Sequence, residues 1–227
     1  MNAIFVAGTG TDVGKTFVTT GLLGFLRGSG VLARALKPVS SGYDPQRPED
    51  SDAGALLAAM NLPTTAADIA DIAPFRYAAP LAPDMAARKE GKRLRLEEIV
   101  ACCRGRIAAS STPLLIEGVG GVMSPIAEDA TGLDLMRALH CPAMLVAGSY
   151  LGTLSHALTA VSACLNGGVP LRLIVVNETP ESSVELDATC AELRRFVRDI
   201  PIVAVRRHGA PQNDALREIA RACGFIL

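Results

Sequence analysis

The residues best suited to chemistry lie near the start of the chain, where GTGTDVGKT runs from Gly8 to Thr16. Closely spaced glycines let successive backbone N–H groups turn inward around a phosphate, and a helix starting directly behind them adds the positive end of its dipole. Lys15 is placed to reach the β and γ oxygens of a triphosphate. The Thr16 hydroxyl is placed to face Mg²⁺, which in nucleotide sites takes one or two protein oxygens beside phosphate and water. Five residues separate Gly8 from Gly14, one more than in the common G-x4-G-K-[ST] loop, and this longer spacing marks a subclass. A dinucleotide fingerprint starting at Gly8 is excluded, because it needs glycine where Val13 stands.

Three more side chains fall where such a site needs them. ALKPVSSG carries Lys37 and Ser41 where the chain leaves an apolar run, and Pro38 holds Lys37 extended. LLIEGVGG ends an apolar run in Glu117 ahead of a glycine turn, the place of a metal-facing carboxylate in phosphate-loop enzymes. EDSDAG offers Ser51 as a helix cap and Asp52 in the first helical turn. Taken singly, Lys37 reads as a solvated surface lysine and Ser41 as a turn residue, while Asp52 complements a helix dipole for about 0.3–1 kcal/mol. Their position changes that reading, because ligands of an open parallel sheet gather at the carboxyl ends of its strands, the edge that carries the glycine loop.

The elements that must position these groups follow from periodicity. Short apolar runs at 3–7, 31–36, 114–116, 144–147, 171–176 and 202–205 predict buried strands. Segments 15–27, 52–60, 96–109, 154–165, 184–197 and 214–223 repeat apolar residues every three or four positions and predict helices. Alternating strands and helices imply an α/β class, a three-layer arrangement with a mainly parallel sheet flanked by helices, in one domain spanning 1–227. The Pro-rich stretch 63–92 predicts a surface excursion with short helices.

With 49% hydrophobic and 20% charged residues the chain can bury a full core, and its net charge of −1 argues against nucleic acid or an anionic membrane as partner. Positions 138–171 contain no Asp, Glu, Lys or Arg, but Pro142, Gly148, Gly152 and Pro170 break the stretch, so a buried strand and helix are predicted rather than a membrane span. Six cysteines without a C-x-x-C pair predict reduced core thiols, and no secretory segment precedes the first strand, so a cytoplasmic location is expected.

The order GTGTDVGKT, KPVSSG, SDA, EGVGG, PLAPDMAARKEG, LGTLSHA and VVNETP resembles that of the dethiobiotin synthetases over nearly the whole chain, weakening after Pro201. The resemblance implies a P-loop NTPase type of fold. It also implies an ATP-dependent cyclo-ligase of biotin synthesis that converts 7,8-diaminononanoate and CO2 to dethiobiotin with Mg²⁺, releasing ADP and phosphate. By the same resemblance Asp12, Val13, Gly14, Lys15, Thr16 and Phe17 hold the ATP phosphates, with Gly118, Val119 and Gly120 beside the nucleotide. Thr16, Asp52 and Glu117 surround Mg²⁺, and Lys37 is the catalytic lysine with Lys15 beside it. Thr11 and Ser41 contact the diamine or its carbamate, and Asn177 reads the adenine edge. The turn of Gly152, Thr153 and Ser155 cradles the substrate carboxylate across a homodimer, with the uncharged surface 151–165 as the contact. Val205, Arg206, Arg207 and His208 depart from the segment that the family sets against the adenine, and Tyr150, Ser155 and Ala82 depart elsewhere. Regulatory ATPases of the same loop class carry a lysine five residues before the loop lysine; here that residue is Gly10.

Overall fold

The computed structural model describes residues 2–207 and 213–226. In chain order the elements are β1 (Ala3–Gly8), α1 (Lys15–Gly28), β2 (Arg34–Leu36), β3 (Val39–Ser41), α2 (Asp52–Ala59), α3 (Ala66–Ile72), β4 (Phe75–Tyr77), α4 (Pro83–Lys89), α5 (Leu96–Ala109) and β5 (Leu114–Glu117). There follow β6 (Pro125–Ala127), β7 (Ala130–Thr131), α6 (Gly132–Leu139), β8 (Ala143–Gly148), α7 (Thr153–Asn166), β9 (Leu171–Asn177), α8 (Leu186–Phe196), β10 (Ile202–Val205) and α9 (Asn213–Ala222). Six strands form one sheet in the order β10-β9-β8-β1-β5-β2, and every neighbouring pair is parallel.

Both faces of this sheet are covered, which is why its strands read as continuous apolar runs. Ile4 and Val6, with Leu115, Met144, Val146 and Val175, pack under α1, α2, α3 and α9 through Leu22, Leu57, Ile69 and Ile219. Phe5 and Ala7 point the other way, with Ile116, Leu145 and Val176, onto α5, α6, α7 and α8 through Ile99, Met136, Val161 and Leu193. The period-2 alternation of strand side chains thus feeds two cores. β1 is central, and the sheet grows to one side of it through β5 and β2 and to the other through β8, β9 and β10. The crevice beyond its carboxyl end is where such sheets bind ligands.

The differences from the sequence reading have local causes. The strand expected at 31–36 is shortened to Arg34–Leu36, because the N–H groups of Gly30 and Val31 close the end of α1 on the carbonyls of Arg27 and Leu26. Within 63–92 short helices are present as expected, α3 and α4, but the segment is not only a surface excursion: Ile69 and Ala86 are fully buried in the cores, and β4 pairs in parallel with β3, Val39 opposite Phe75 and Ser41 opposite Tyr77. The β6–β7 hairpin and α6 were not foreseen; α6 begins with a capping box of Thr131 and Asp134. The uncharged stretch divides into β8 and α7, and no helix among the described residues is long and apolar enough to cross a membrane.

Candidate active site

The glycine loop leaves β1 and enters α1 through two left-handed residues, Asp12 (φ 57°) and Gly14 (φ 92°). Gly14 is required on two counts. Its φ is strained for any L side chain, and an added Cβ would stand 2.1 Å from Asn177 Nδ2. Asn177, at the end of β9, donates from Nδ2 to the Val13 carbonyl at 3.1 Å, and its Oδ1 is buried without a partner.

Lys15 folds back across the loop and donates from Nζ to the carbonyls of Gly10 and Gly120, each at 2.8 Å. A side chain at Gly8 would meet that ammonium, since a Cβ there would lie 2.9 Å from Nζ. Burial first, and then the neighbouring Lys37, push the Lys15 pKa down to about 8.

Three elements meet beside Lys15. Thr16, in the first turn of α1, sets its hydroxyl 2.8 Å from Asp52 Oδ1 and 2.8 Å from Glu117 Oε1. Glu117 ends β5 and is fully buried; Asp52 opens α2, whose N-cap Ser51 accepts from the Gly54 N–H at 3.1 Å. Lys37 follows β2 and is anchored by its own N–H to the Ile72 carbonyl at 2.8 Å. Its Nζ lies 2.7 Å from Asp52 Oδ2 and 2.8 Å from Glu117 Oε1, and it donates to the Gly118 carbonyl at 3.2 Å. Burial pulls the Lys37 pKa down, but Glu117 and Asp52 outweigh it and hold the group above its ordinary value. Burial likewise pushes Asp52 up, and the Lys37 charge, with hydrogen bonds from Lys37 and Thr16, brings it below the usual carboxylate range.

A cavity of about 620 Å³ opens over these groups, bordered by Lys15, Thr16, Phe17, Lys37, Asp52 and Arg207. Thr11, Asp12, Gly14, Ser41, Val119, Gly120 and Pro180 complete its wall. Gly118 sits behind it, where a Cβ would strike the Phe5 ring at 2.8 Å. A second cavity of about 450 Å³ meets the first at Thr11 and is lined by Thr9, Met123 and His156 among others. Gly152, Thr153 and Ser155, at the start of α7, line neither cavity. Thr153 also uses both polar groups within its own turn, the hydroxyl donating to the Gly148 carbonyl at 2.6 Å and the N–H to the Tyr150 carbonyl at 3.0 Å.

The sequence reading assigned no contact to Arg207. Its guanidinium stands 5.0 Å from the centre of the Phe17 ring, while its backbone N–H and Nε–H donate to Glu178 Oε2 and the Glu178 carbonyl. The signal for it was topological: Val205 is in register with Asn177, so the residues after β10 leave the same edge as the glycine loop. His208 lies outside the described residues.

Two carboxylates and a hydroxyl converge here, with Glu117 Oε2 buried and unpartnered, and this all-oxygen set fits a hard divalent cation. Among the described residues no group of three or more His, Cys, Asp or Glu side chains is placed to hold a metal ion by itself.

Fold and site together define a P-loop nucleotide-binding protein. The hydrogenase maturation factor HypB of Archaeoglobus fulgidus superposes with a TM-score of 0.58 at 10% identity, covering 97% of this chain and 89% of its own. A ParA family ATPase of Chlorobium tepidum does so with 0.54 at 13% identity, covering 96% and 90%. Residues 2–210 match the family model described as an AAA domain. In sequence, the chain is 47% identical to the ATP-dependent dethiobiotin synthetase BioD of Methylobacterium nodulans, over 92% of this chain and 95% of that one. It is 46% identical to the protein of the same name from Caulobacter vibrioides, over 92% and 94%. The chain belongs to the ATP-dependent dethiobiotin synthetase family.

Proposed function

We propose that this protein is an ATP-dependent dethiobiotin synthetase acting as one nucleotide-binding unit, and that the Lys15, Thr16, Lys37, Asp52 and Glu117 cluster is its reaction centre. The observation that carries this reading is the convergence of these five side chains on one cavity edge, beyond the carboxyl ends of β1, β2 and β5. In the proposed reaction one amine of 7,8-diaminononanoate adds CO2 to give a carbamate, whose oxygen takes the γ-phosphoryl group; the second amine then closes the ring and expels phosphate.

No protein nucleophile is needed, so the side chains position groups and stabilise charge. The glycine loop and Lys15 bind the phosphates, and Lys37 sets an ammonium against the transferring group. Asp12, Gly14 and Phe17 line the nucleotide's path, and the unpaired Oδ1 of Asn177 offers an acceptor to the exocyclic amine of adenine. Thr16, Asp52 and Glu117 would hold Mg²⁺, which when bound neutralises the β and γ oxygens. Thr11, shared by the two cavities, and Ser41 would contact the diamine or its carbamate.

We further propose a homodimer, in which Gly152, Ser155 and the free N–H groups of the first turn of α7 receive the substrate carboxylate across the interface. Thr153 contributes shape only. Leu151 (91% exposed), Met123 (54%) and Leu165 (53%) supply apolar surface for the contact. A reducing cytoplasmic setting is supported by six unpaired cysteines, among which burial pushes Cys141 and Cys164 up to about 11.

The test is whether ATP is hydrolysed appreciably only when bicarbonate and the diamine are both present. Turnover that ignores the diamine would mark a nucleotide switch instead.

A further inference from the structure

The oxygens suited to a divalent ion are already held by a cation of the chain itself. Lys37 Nζ lies 2.7 Å from Asp52 Oδ2 and 2.8 Å from Glu117 Oε1, with Lys37 3% and Glu117 0% exposed. Thr16 Oγ1 takes the other Asp52 oxygen and shares Glu117 Oε1. Of the four carboxylate oxygens of Asp52 and Glu117, Glu117 Oε2 alone has no partner.

The formal charges of Lys15, Lys37, Asp52 and Glu117 cancel. Lys15, Lys37 and Glu117 are buried and the Asp52 side chain is 44% exposed; a bare divalent ion added to this largely buried quartet would leave it doubly positive, an arrangement that desolvation makes costly. A metal–triphosphate complex brings a negative charge instead, and supplies the two ammonium groups with new partners. Lys37 has somewhere to go: its backbone is pinned to the Ile72 carbonyl and followed by Pro38, so the side chain alone moves. Its third contact, the Gly118 carbonyl, begins the glycine turn whose Val119 and Gly120 border the nucleotide cavity.

We propose that Lys37 is the resident counter-ion of the metal site, competing with the divalent cation for the Asp52 and Glu117 carboxylates. The cation therefore enters with the nucleotide rather than ahead of it, and its entry releases the ammonium toward the terminal phosphate. This inference rests on the nucleotide reading above and adds an order of binding to it.

Mn²⁺ titration followed by electron paramagnetic resonance tests it. Without nucleotide, Lys37→Met should bind Mn²⁺ at least about tenfold tighter than the unaltered protein, because the competing cation is gone. With ADP present the two should differ by less than about threefold, since the ammonium has then left the carboxylates of the unaltered protein and the variant has none to compete. Equal Mn²⁺ affinity without nucleotide would overturn the proposal.

A measurement on the unaltered protein guards against a variant that folds poorly. The ¹⁵N resonance of the Lys37 ammonium should stay in place when Mg²⁺ alone is added and move when Mg²⁺ and ADP are added together. Movement with Mg²⁺ alone would equally overturn the proposal. If the unaltered protein bound no Mn–ADP while Lys37→Met still took up Mn²⁺ tenfold tighter, the nucleotide reading would fall and the counter-ion role would stand.

Discussion

Lys37 carries a charge at a position where water is excluded, and the two carboxylates within 2.8 Å of its ammonium make that possible. The arrangement suits a group that must stay protonated while a phosphoryl group moves, because the stabilisation is preorganised rather than recruited from solvent. Lys37→Ala should lower turnover by about 10²–10³-fold, the range seen when one transition-state donor is removed. ATP affinity, read by calorimetry, should change by less than about threefold, since phosphate binding rests on the loop and Lys15. Equal losses in both would assign Lys37 to ground-state binding. Lys37 and Glu117 were legible as site residues because each ends an apolar run at the ligand-binding edge of a parallel sheet. Arg207 was not, since its contact with Phe17 depends on the register of β10 against β9, which periodicity does not reveal. Nor was the closure of Thr153 on Gly148, which depends on how tightly the turn before α7 is wound.

At the level of elements, the strands and helices that carry the site were legible because each falls in an apolar run or repeat with glycine or proline near its end; β2, only three residues long, was legible as part of the run 31–36. The elements that escaped are short. β3 and β4 pair over three positions, and the two strands of the β6–β7 hairpin are shorter than a period-2 pattern needs to declare itself. Helix α6 had a signal in the Thr131–Asp134 capping box followed by Leu135, Met136 and Leu139. That box also makes a pH prediction. Hydrogen bonds from the Thr131 N–H and then its hydroxyl hold the Asp134 carboxyl below the usual range. A depressed folded-state value means that Asp134 contributes stability above its unfolded value near 3.9 and loses it as pH falls through the folded one. Asp134→Ala should therefore lower the thermal midpoint at pH 7 by about 2–4 °C, and the difference should vanish in acid once the pH has fallen below the depressed folded-state value. A midpoint gap that persists unchanged in acid would remove the carboxylate from the cap.

For the whole molecule, the open question is what covers the apolar surface at the start of α7. Stable interfaces bury roughly 1,200–2,000 Å² in total, and Leu151, almost fully exposed, sits beside the turn proposed to receive the substrate carboxylate. Sedimentation at micromolar concentration should show a dimer of the 23.7 kDa chain, and Leu151→Asp should shift it toward monomer. The same variant should raise the KM for the diamine about tenfold or more while leaving that for ATP near its starting value. A monomer at micromolar concentration would remove the carboxylate cradle from the site.

The placement of β1 between β5 and β8 has a consequence for how the protein is made. Its residues are in register with Leu114–Glu117 on one side and with 143–146 on the other, so its neighbours in the sheet are translated long after it. During synthesis, the strand that carries the glycine loop leaves the ribosome well before β5 and β8, and both of its flanks stay open until β5 has followed. Until then its apolar residues are an adhesive edge. Only when β8 has emerged as far as Gly148 is the strand behind the glycine loop paired on both sides.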